Sequence, residues 1–212
     1  MNTFSTIAIS RQMGSGGSWI AQQVAKQLGF KYLDREILCQ AAAMLQEDEQ
    51  VLSGKEERVS SLWESIIQAC CACVPETGYS PAPIYQVNNN ELYDTESLII
   101  KNAAEKCNCV IVGRGAWHIL RNHQRLLTVF LHASKQYRAE RISKIHGSFD
   151  RQSAETIVSD SDKQRRKFIR EHADVEWTDA SNYMLCIDTE AIGLSRTVDI
   201  IIEMSKSLSN QD

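Results

Sequence analysis

The stretch Ile7-Ala8-Ile9-Ser10-Arg11-Gln12-Met13-Gly14-Ser15-Gly16-Gly17-Ser18-Trp19-Ile20-Ala21 reads as a strand, a glycine-rich turn and the start of a helix. In a phosphate-binding loop of the form G-x-x-x-x-G-K-[ST], glycines let backbone N–H groups close around phosphate oxygens, a lysine reaches the outer phosphates and a hydroxyl ligates magnesium. Gly14, Gly16 and Ser18 fit that pattern, whereas the first glycine position holds Arg11 and the lysine position holds Gly17. The helix that follows aims its free N–H groups and positive dipole end at the same point, so a phosphate fits there without a side chain. The segment therefore predicts a phosphate cradle that lacks its usual cation. Ser18, the first hydroxyl of the helix, is placed for a magnesium or phosphate contact or for an ordinary N-cap. Arg11 is placed either to bring its planar guanidinium to phosphate or to pair with a surface carboxylate.

Outward from this stretch, strand and helix patterns alternate. Thr6 to Ser10 is a short apolar strand, and Ile20, Ala21, Val24, Ala25 and Leu28 recur at helical spacing up to the helix stop Gly29. Phe30 to Leu33 reads as a second strand and Arg35 to Leu45 as a second helix. Regularity returns with a helix at about Leu92 to Lys106 and strands at Cys109–Val112, Leu126–Leu131 and Met184–Ile187. Helices are expected at Ser134–His146, within Ser153–Glu171 and at Leu194–Leu208. The continuous apolar runs indicate strands covered on both faces, and the alternation predicts a parallel sheet. Between Gln46 and about Tyr93 the pattern loosens and includes all three prolines, which marks residues 46–93 as an insertion or lid.

Three further groups are candidates for chemistry. Gly113-Arg114-Gly115 follows a strand, so Arg114 projects from the carboxyl edge of the sheet, where open α/β folds bind ligands. There it serves as a phosphate clamp or as the partner of Asp34 or Asp188. Asp34, with Arg35 beside it, ends the second strand and reads equally as a substrate or metal contact and as a helix N-cap. Asp160 to Arg170 concentrates five cations; Asp162 and Arg165, three apart, can pair on a helix. Such a run is a solvated helix face or, beside a phosphate cradle, a basic lid.

A chain of 212 residues, 43% apolar and 24% charged, buries a substantial single core over residues 1–212. A net charge of -4 gives no global attraction to nucleic acid polymers or anionic membranes, so phosphate binding must be local and the ligand small. No basic segment leads into an apolar core at the start and no run of membrane-spanning length occurs, which predicts neither export nor a span. Seven cysteines, an odd number, read as reduced thiols in a cytoplasm. Neither Cys70-Cys71-Ala72-Cys73 nor Cys107-Asn108-Cys109 has zinc-site spacing with a nearby histidine. No Ser-His-Asp or H-E-x-x-H pattern supports a hydrolase.

Taken in order, these stretches resemble the cytidylate kinase-like family of P-loop phosphotransferases, in its divergent bacterial branch. They are Ile7 to Gly17, Tyr32-Leu33-Asp34-Arg35-Glu36-Ile37, Val110 to Ala116, Val129 to Ser134 leading to Arg138 and Arg141, Asp162-Lys163-Gln164-Arg165, and Ile187-Asp188-Thr189. The resemblance implies a P-loop nucleoside monophosphate kinase fold: three layers, a five-stranded parallel sheet between helices, a monophosphate-binding insertion at 46–93 and an arginine-bearing lid at about 147–175. It implies that Gly14, Ser15, Gly16, Gly17 and Ser18 hold the β- and γ-phosphates of ATP, with Mg2+ at Ser18 and Arg138 on the nucleotide side. Arg114, with Asp34 and Arg35, would meet the acceptor, a nucleoside monophosphate or other small phosphorylated molecule. Asp162 and Arg165 would serve the acceptor or lid side. Gly115 stands where the family's Gly-Arg-Asp motif has aspartate. Arg11, Arg114 and Arg165 are then the candidates to replace the missing lysine charge. Two other readings stay open: a catalytically silent nucleotide-binding regulator, and a kinase for a non-nucleotide metabolite.

Overall fold

A computed structural model of the chain describes residues 4–38, 90–146 and 150–209. Its strands are β1 (Thr6–Arg11), β2 (Lys31–Leu33), β3 (Cys109–Val112), β4 (Leu126–His132) and β5 (Leu185–Asp188). All pair in parallel, in the order β2-β3-β1-β4-β5, with β1 at the centre. The helices are α1 (Gly17–Leu28), α2 (Asn90–Lys106), the short α3 (Ala116–Ile119), α4 (Lys135–His146), the long α5 (Arg151–Ala173), the short α6 (Thr189–Ile192) and α7 (Leu194–Ser209). The α/β class and the five-stranded parallel sheet are as the sequence predicts.

The pleat sorts the core into two layers. Ile7 and Ile9 point to one face, where Val110, Val112, Val129 and Leu131 meet Ile20 and Val24 of α1 and Val198 and Ile201 of α7. Ala8, Ile111 and Phe130 point to the other, against Ile99, Ile100 and Ala103 of α2, Trp117, Ile169 and Trp177. A third cluster joins Met13 of the glycine-rich turn to Ala139 and Ile142 of α4 and Ala154 and Val158 of α5. The turn is thereby seated on a hydrophobic support of its own.

Several element boundaries differ from expectation by a residue or two, three of them in strands and for identifiable reasons. β2 starts one residue late because the N–H of Phe30 is committed to the carbonyl of Ala25, closing α1 over Gly29. β5 starts at Leu185 because the N–H of Met184 donates to Thr128, at 2.9 Å to its hydroxyl. β1 runs one residue further than expected, through Arg11, which pairs with Leu131 of β4. The helix expected at Arg35 to Leu45 begins at residue 35 and is described as far as residue 38. Most of the 46–93 insertion lies outside the described residues, as do Cys39, Cys70, Cys71 and Cys73. Residues expected as a lid include the whole of α5, which Asp150 caps by accepting from the N–H of Ser153 at 2.7 Å. No helix among the described residues is long and apolar enough to cross a membrane.

Candidate functional site at the carboxyl edge of the sheet

Because the strands are parallel, the ends of β1, β2, β3 and β5 bring Arg11, Asp34, Arg114 and Asp188 to one edge of the sheet. The glycine-rich turn crosses this edge. It starts from a bond between the N–H of Gln12 and the carbonyl of Leu131, 2.9 Å, and tightens where the Ser15 hydroxyl donates to the carbonyl of Gln12, also 2.9 Å. The Thr189 hydroxyl donates to the carbonyl of Ser15 at 2.8 Å, so Ser15 is fully buried as part of the frame. The N-cap of α1 is Gly16, in the left-handed region and with no side-chain cap, so Ser18 is the second helical residue and does not cap it. The first N–H groups of α1 thus face the turn.

Arg138 and Asp162 grip the turn from below. Arg138 is 5% exposed; its Nε donates to the carbonyl of Ala133 at 3.0 Å and its Nη1 to the carbonyl of Met13 at 3.1 Å. The same Nη1 meets Oδ2 of Asp162 at 2.7 Å, while Oδ1 of Asp162 accepts from the N–H of Met13 at 3.2 Å. Arg165 stands 3.6 Å from the same carboxylate, the pairing that its spacing predicts. Gly14 lies over this clamp at φ 84°, and a Cβ there would sit 2.6 Å from the carbonyl oxygen of Arg138. The residue fits only without a side chain, and its left-handed backbone is of the kind found in phosphate-binding turns.

The missing lysine has a steric explanation. The two-residue period of β1 sends Arg11 to the α1 face, and a Cβ on Gly17 would lie 2.6 Å from Cβ and 2.8 Å from Cγ of Arg11. The Arg11 stem fills the volume that a side chain at position 17 would need. Its guanidinium continues over the sheet edge, where Nη1 is the nearest atom to the space beside Gly113. A lysine at 17 and this placement of Arg11 exclude each other.

Arg114 sits in a run of left-handed residues, with φ 82° at Gly113, 54° at Arg114 and 67° at Gly115. A non-glycine residue here is strained by about 1–2 kcal/mol. A side chain at 115 would press on Ile169 of α5, with Cβ 3.3 Å from its Cδ1, and would sit in the left-handed region at φ 67°, so the aspartate of the Gly-Arg-Asp pattern fits less readily here than glycine. Neither Asp34 nor Asp188 partners Arg114. Its Nη2 instead meets Oε1 of Glu96 on α2 at 2.5 Å, and its Cζ lies 5.1 Å from the ring centre of Phe168 on α5. Glu96 escaped the sequence reading, although its position, three and four residues before inward Ile99 and Ile100, marks an acid on an apolar stripe.

Asp34 is a helix N-cap: its Oδ1 accepts from the N–H groups of Glu36 and Ile37 at 3.0 and 3.1 Å. Its other oxygen accepts from the Tyr32 hydroxyl at 3.1 Å, and burial first, then this carboxylate, push that phenol well above its ordinary range. Arg35 is the first helical residue beside it. Asp188 similarly caps α6 through the N–H groups of Glu190 and Ala191.

No curated protein matches the chain. Among solved structures, an uncharacterized protein from Eubacterium ventriosum aligns with a TM-score of 0.69 at 21% identity, over 96% of this chain and 99% of that one. A gluconokinase from Sinorhizobium meliloti aligns with a TM-score of 0.52 at 16% identity, over 100% and 99% of the two chains. These likenesses show that the fold is shared along the whole chain. The sequence itself matches the cytidylate kinase-like family across residues 6–191, which span the turn, Arg114, the Arg138–Asp162 clamp and Asp188, and the chain belongs to that family.

Proposed function

We propose that the protein is a phosphotransferase moving the γ-phosphate of ATP, with Mg2+, to a nucleoside monophosphate or another small acceptor. The observation that carries this reading is the exchange of Arg11 for the lysine: the stem of Arg11 occupies the volume over Gly17 and its guanidinium lies beside Gly113 at the sheet edge. Positive charge is kept at the cradle by another route, which loss of function does not require. Magnesium and nucleotide suit the residues present, because Gly14 and Gly16 hold the left-handed turn that only glycine fits there and the α1 N-terminus has no side-chain cap.

In this reading bound Mg-ATP supplies the transferable phosphoryl group, with the metal screening its charge. Ser18 is the metal-side hydroxyl. The backbone from Gly14 to Gly17 orients the phosphate chain, and Arg11 stabilises negative charge as it shifts toward the leaving oxygen. Arg114 holds the phosphate of the acceptor, and Arg165 closes from α5. Arg138 and Asp162 act indirectly by fixing the turn, so that donors are preset before the ligand arrives. Positioning and electrostatics thus supply the catalysis. The 46–93 insertion and α5 are the acceptor-binding and lid portions of one domain, and the protein works in the cytoplasm.

The test is ADP release from Mg-ATP across the four ribonucleoside monophosphates and a set of sugar and polyol acceptors, alongside melting temperatures with each nucleotide. Release with a nucleoside monophosphate supports the reading. A nucleotide-induced rise in melting temperature with no ADP release for any acceptor would assign the silent regulator instead. Release only with a sugar or polyol would make it a metabolite kinase.

A further inference from the structure

Glu96 is 1% exposed and shares its inward stripe on α2 with Ile99, Ile100 and Ala103. A carboxylate in that setting costs more in desolvation than an apolar side chain of similar size, and a buried ion pair is weak evidence of stabilisation. Its contact with Nη2 of Arg114, at 2.5 Å, indicates another use. Arg114 leaves the backbone from a left-handed residue, at φ 54°, and an arginine side chain without fixed neighbours has several rotamers open to it. Two rigid walls restrict it: the Glu96 carboxylate and the Phe168 ring, 5.1 Å from Cζ. Phe168 is itself wedged edge-on against Tyr93, at 5.8 Å, and His172, at 4.7 Å. A guanidinium carries five donors in a plane, so one such group can meet a carboxylate and a phosphate together.

We propose that Glu96 is a positioning residue for the transfer reaction, holding the Arg114 guanidinium against Phe168 at the sheet edge so that it meets the acceptor phosphate already oriented. This rests on the assignment of Arg114 to the acceptor side. Glu96 acts only through Arg114 and touches neither substrate. Removing its charge should therefore weaken the acceptor site and leave the nucleotide site intact.

Titration calorimetry on the full chain tests this, with Mg-AMPPNP as the donor-site probe and the four ribonucleoside monophosphates and glucose 6-phosphate as acceptor-site probes. In Glu96→Gln the best wild-type monophosphate should bind at least tenfold more weakly, with the Mg-AMPPNP constant within twofold of wild type. In an Arg114→Ala background the same Glu96→Gln change should add less than twofold, because its effect passes through the arginine. A merely structural role would weaken both ligands, or would add its full loss in the Arg114→Ala background, and either result overturns the proposal. Equal monophosphate affinity in wild type and Glu96→Gln also overturns it. Should Glu96→Gln fail to fold, Phe168→Leu, which keeps apolar volume but removes the ring, should weaken the monophosphate at least threefold; no change there counts against the proposal. If wild type binds Mg-AMPPNP but no monophosphate, the acceptor assignment itself fails and the inference falls with it.

Discussion

At position 17 a side chain and Arg11 compete for one volume. Gly17→Ala places a Cβ 2.6 Å from Cβ of Arg11, an atom fixed by the backbone that cannot swing away as a side-chain tip does. Overpacking of this kind costs about 1–3 kcal/mol, to be read from the urea midpoint at unchanged slope. The paired change Arg11→Gly with Gly17→Lys should recover most of that loss, since only glycine at 11 removes the Cβ that the new side chain meets; additive losses would show that the two positions do not compete. Gly14→Ala meets a backbone oxygen, that of Arg138, at φ 84°. It should cost a similar amount and also weaken nucleotide binding, measured by the nucleotide-induced change in melting temperature. The sequence shows that lysine is absent at 17, but not why. The reason depends on Arg11 being a strand residue whose pleat faces α1, and one residue of strand length decides that.

Helix α5 ties the site together as an element. Asp162 faces Arg138 and Met13 near its middle, Arg165 follows one turn on, and Phe168 and His172 face α2. Asp162→Ala leaves the nearly buried Arg138 without its carboxylate, a loss of about 3–5 kcal/mol by urea unfolding, with the turn loosened as well. Near the end of the helix His172 stacks on Tyr93 at 3.9 Å; burial, foremost, and the positive charge of Arg114 lower its pKa below the ordinary value, against the opposing pull of Glu171, Asp94 and Glu96. A histidine depressed in the folded state binds fewer protons there than in the unfolded chain, so stability falls as pH drops through and below about 6.5. His118, lowered chiefly by burial, acts in the same direction. Melting temperature should therefore fall between pH 7.5 and 5.5, and His172→Gln should flatten part of that fall; an identical profile in the variant would rule out its contribution. The Asp162–Arg165 pair was legible because it lies within one helix. The Arg138–Asp162 and Arg114–Glu96 pairs each join two elements, and local periodicity carries no information about which helices meet.

Over the whole molecule, the alternation of strand and helix sufficed for the parallel sheet, because each apolar run had to be covered on both faces. The strand order β2-β3-β1-β4-β5 was not legible, yet it brings Arg11, Asp34 and Arg114 to neighbouring strand ends. The order makes one site of segments a hundred residues apart in sequence. A ligand bound to that edge stabilises the fold by mass action, about 2.7 kcal/mol at a hundredfold excess over its dissociation constant, so Mg-ATP should raise the melting temperature in a concentration-dependent way. An unchanged melting temperature at millimolar Mg-ATP would contradict a nucleotide site. The claim that a displaced cation restores the cradle is tested most directly by ADP release from Mg-ATP in wild type and Arg11→Ala, using the acceptor that gives the highest wild-type rate. Loss of a charge that acts on the shifting phosphoryl group should reduce kcat at least a hundredfold, with melting temperature and nucleotide binding nearly unchanged. A variant that releases ADP at the wild-type rate would show that Arg11 has not taken the place of the lysine.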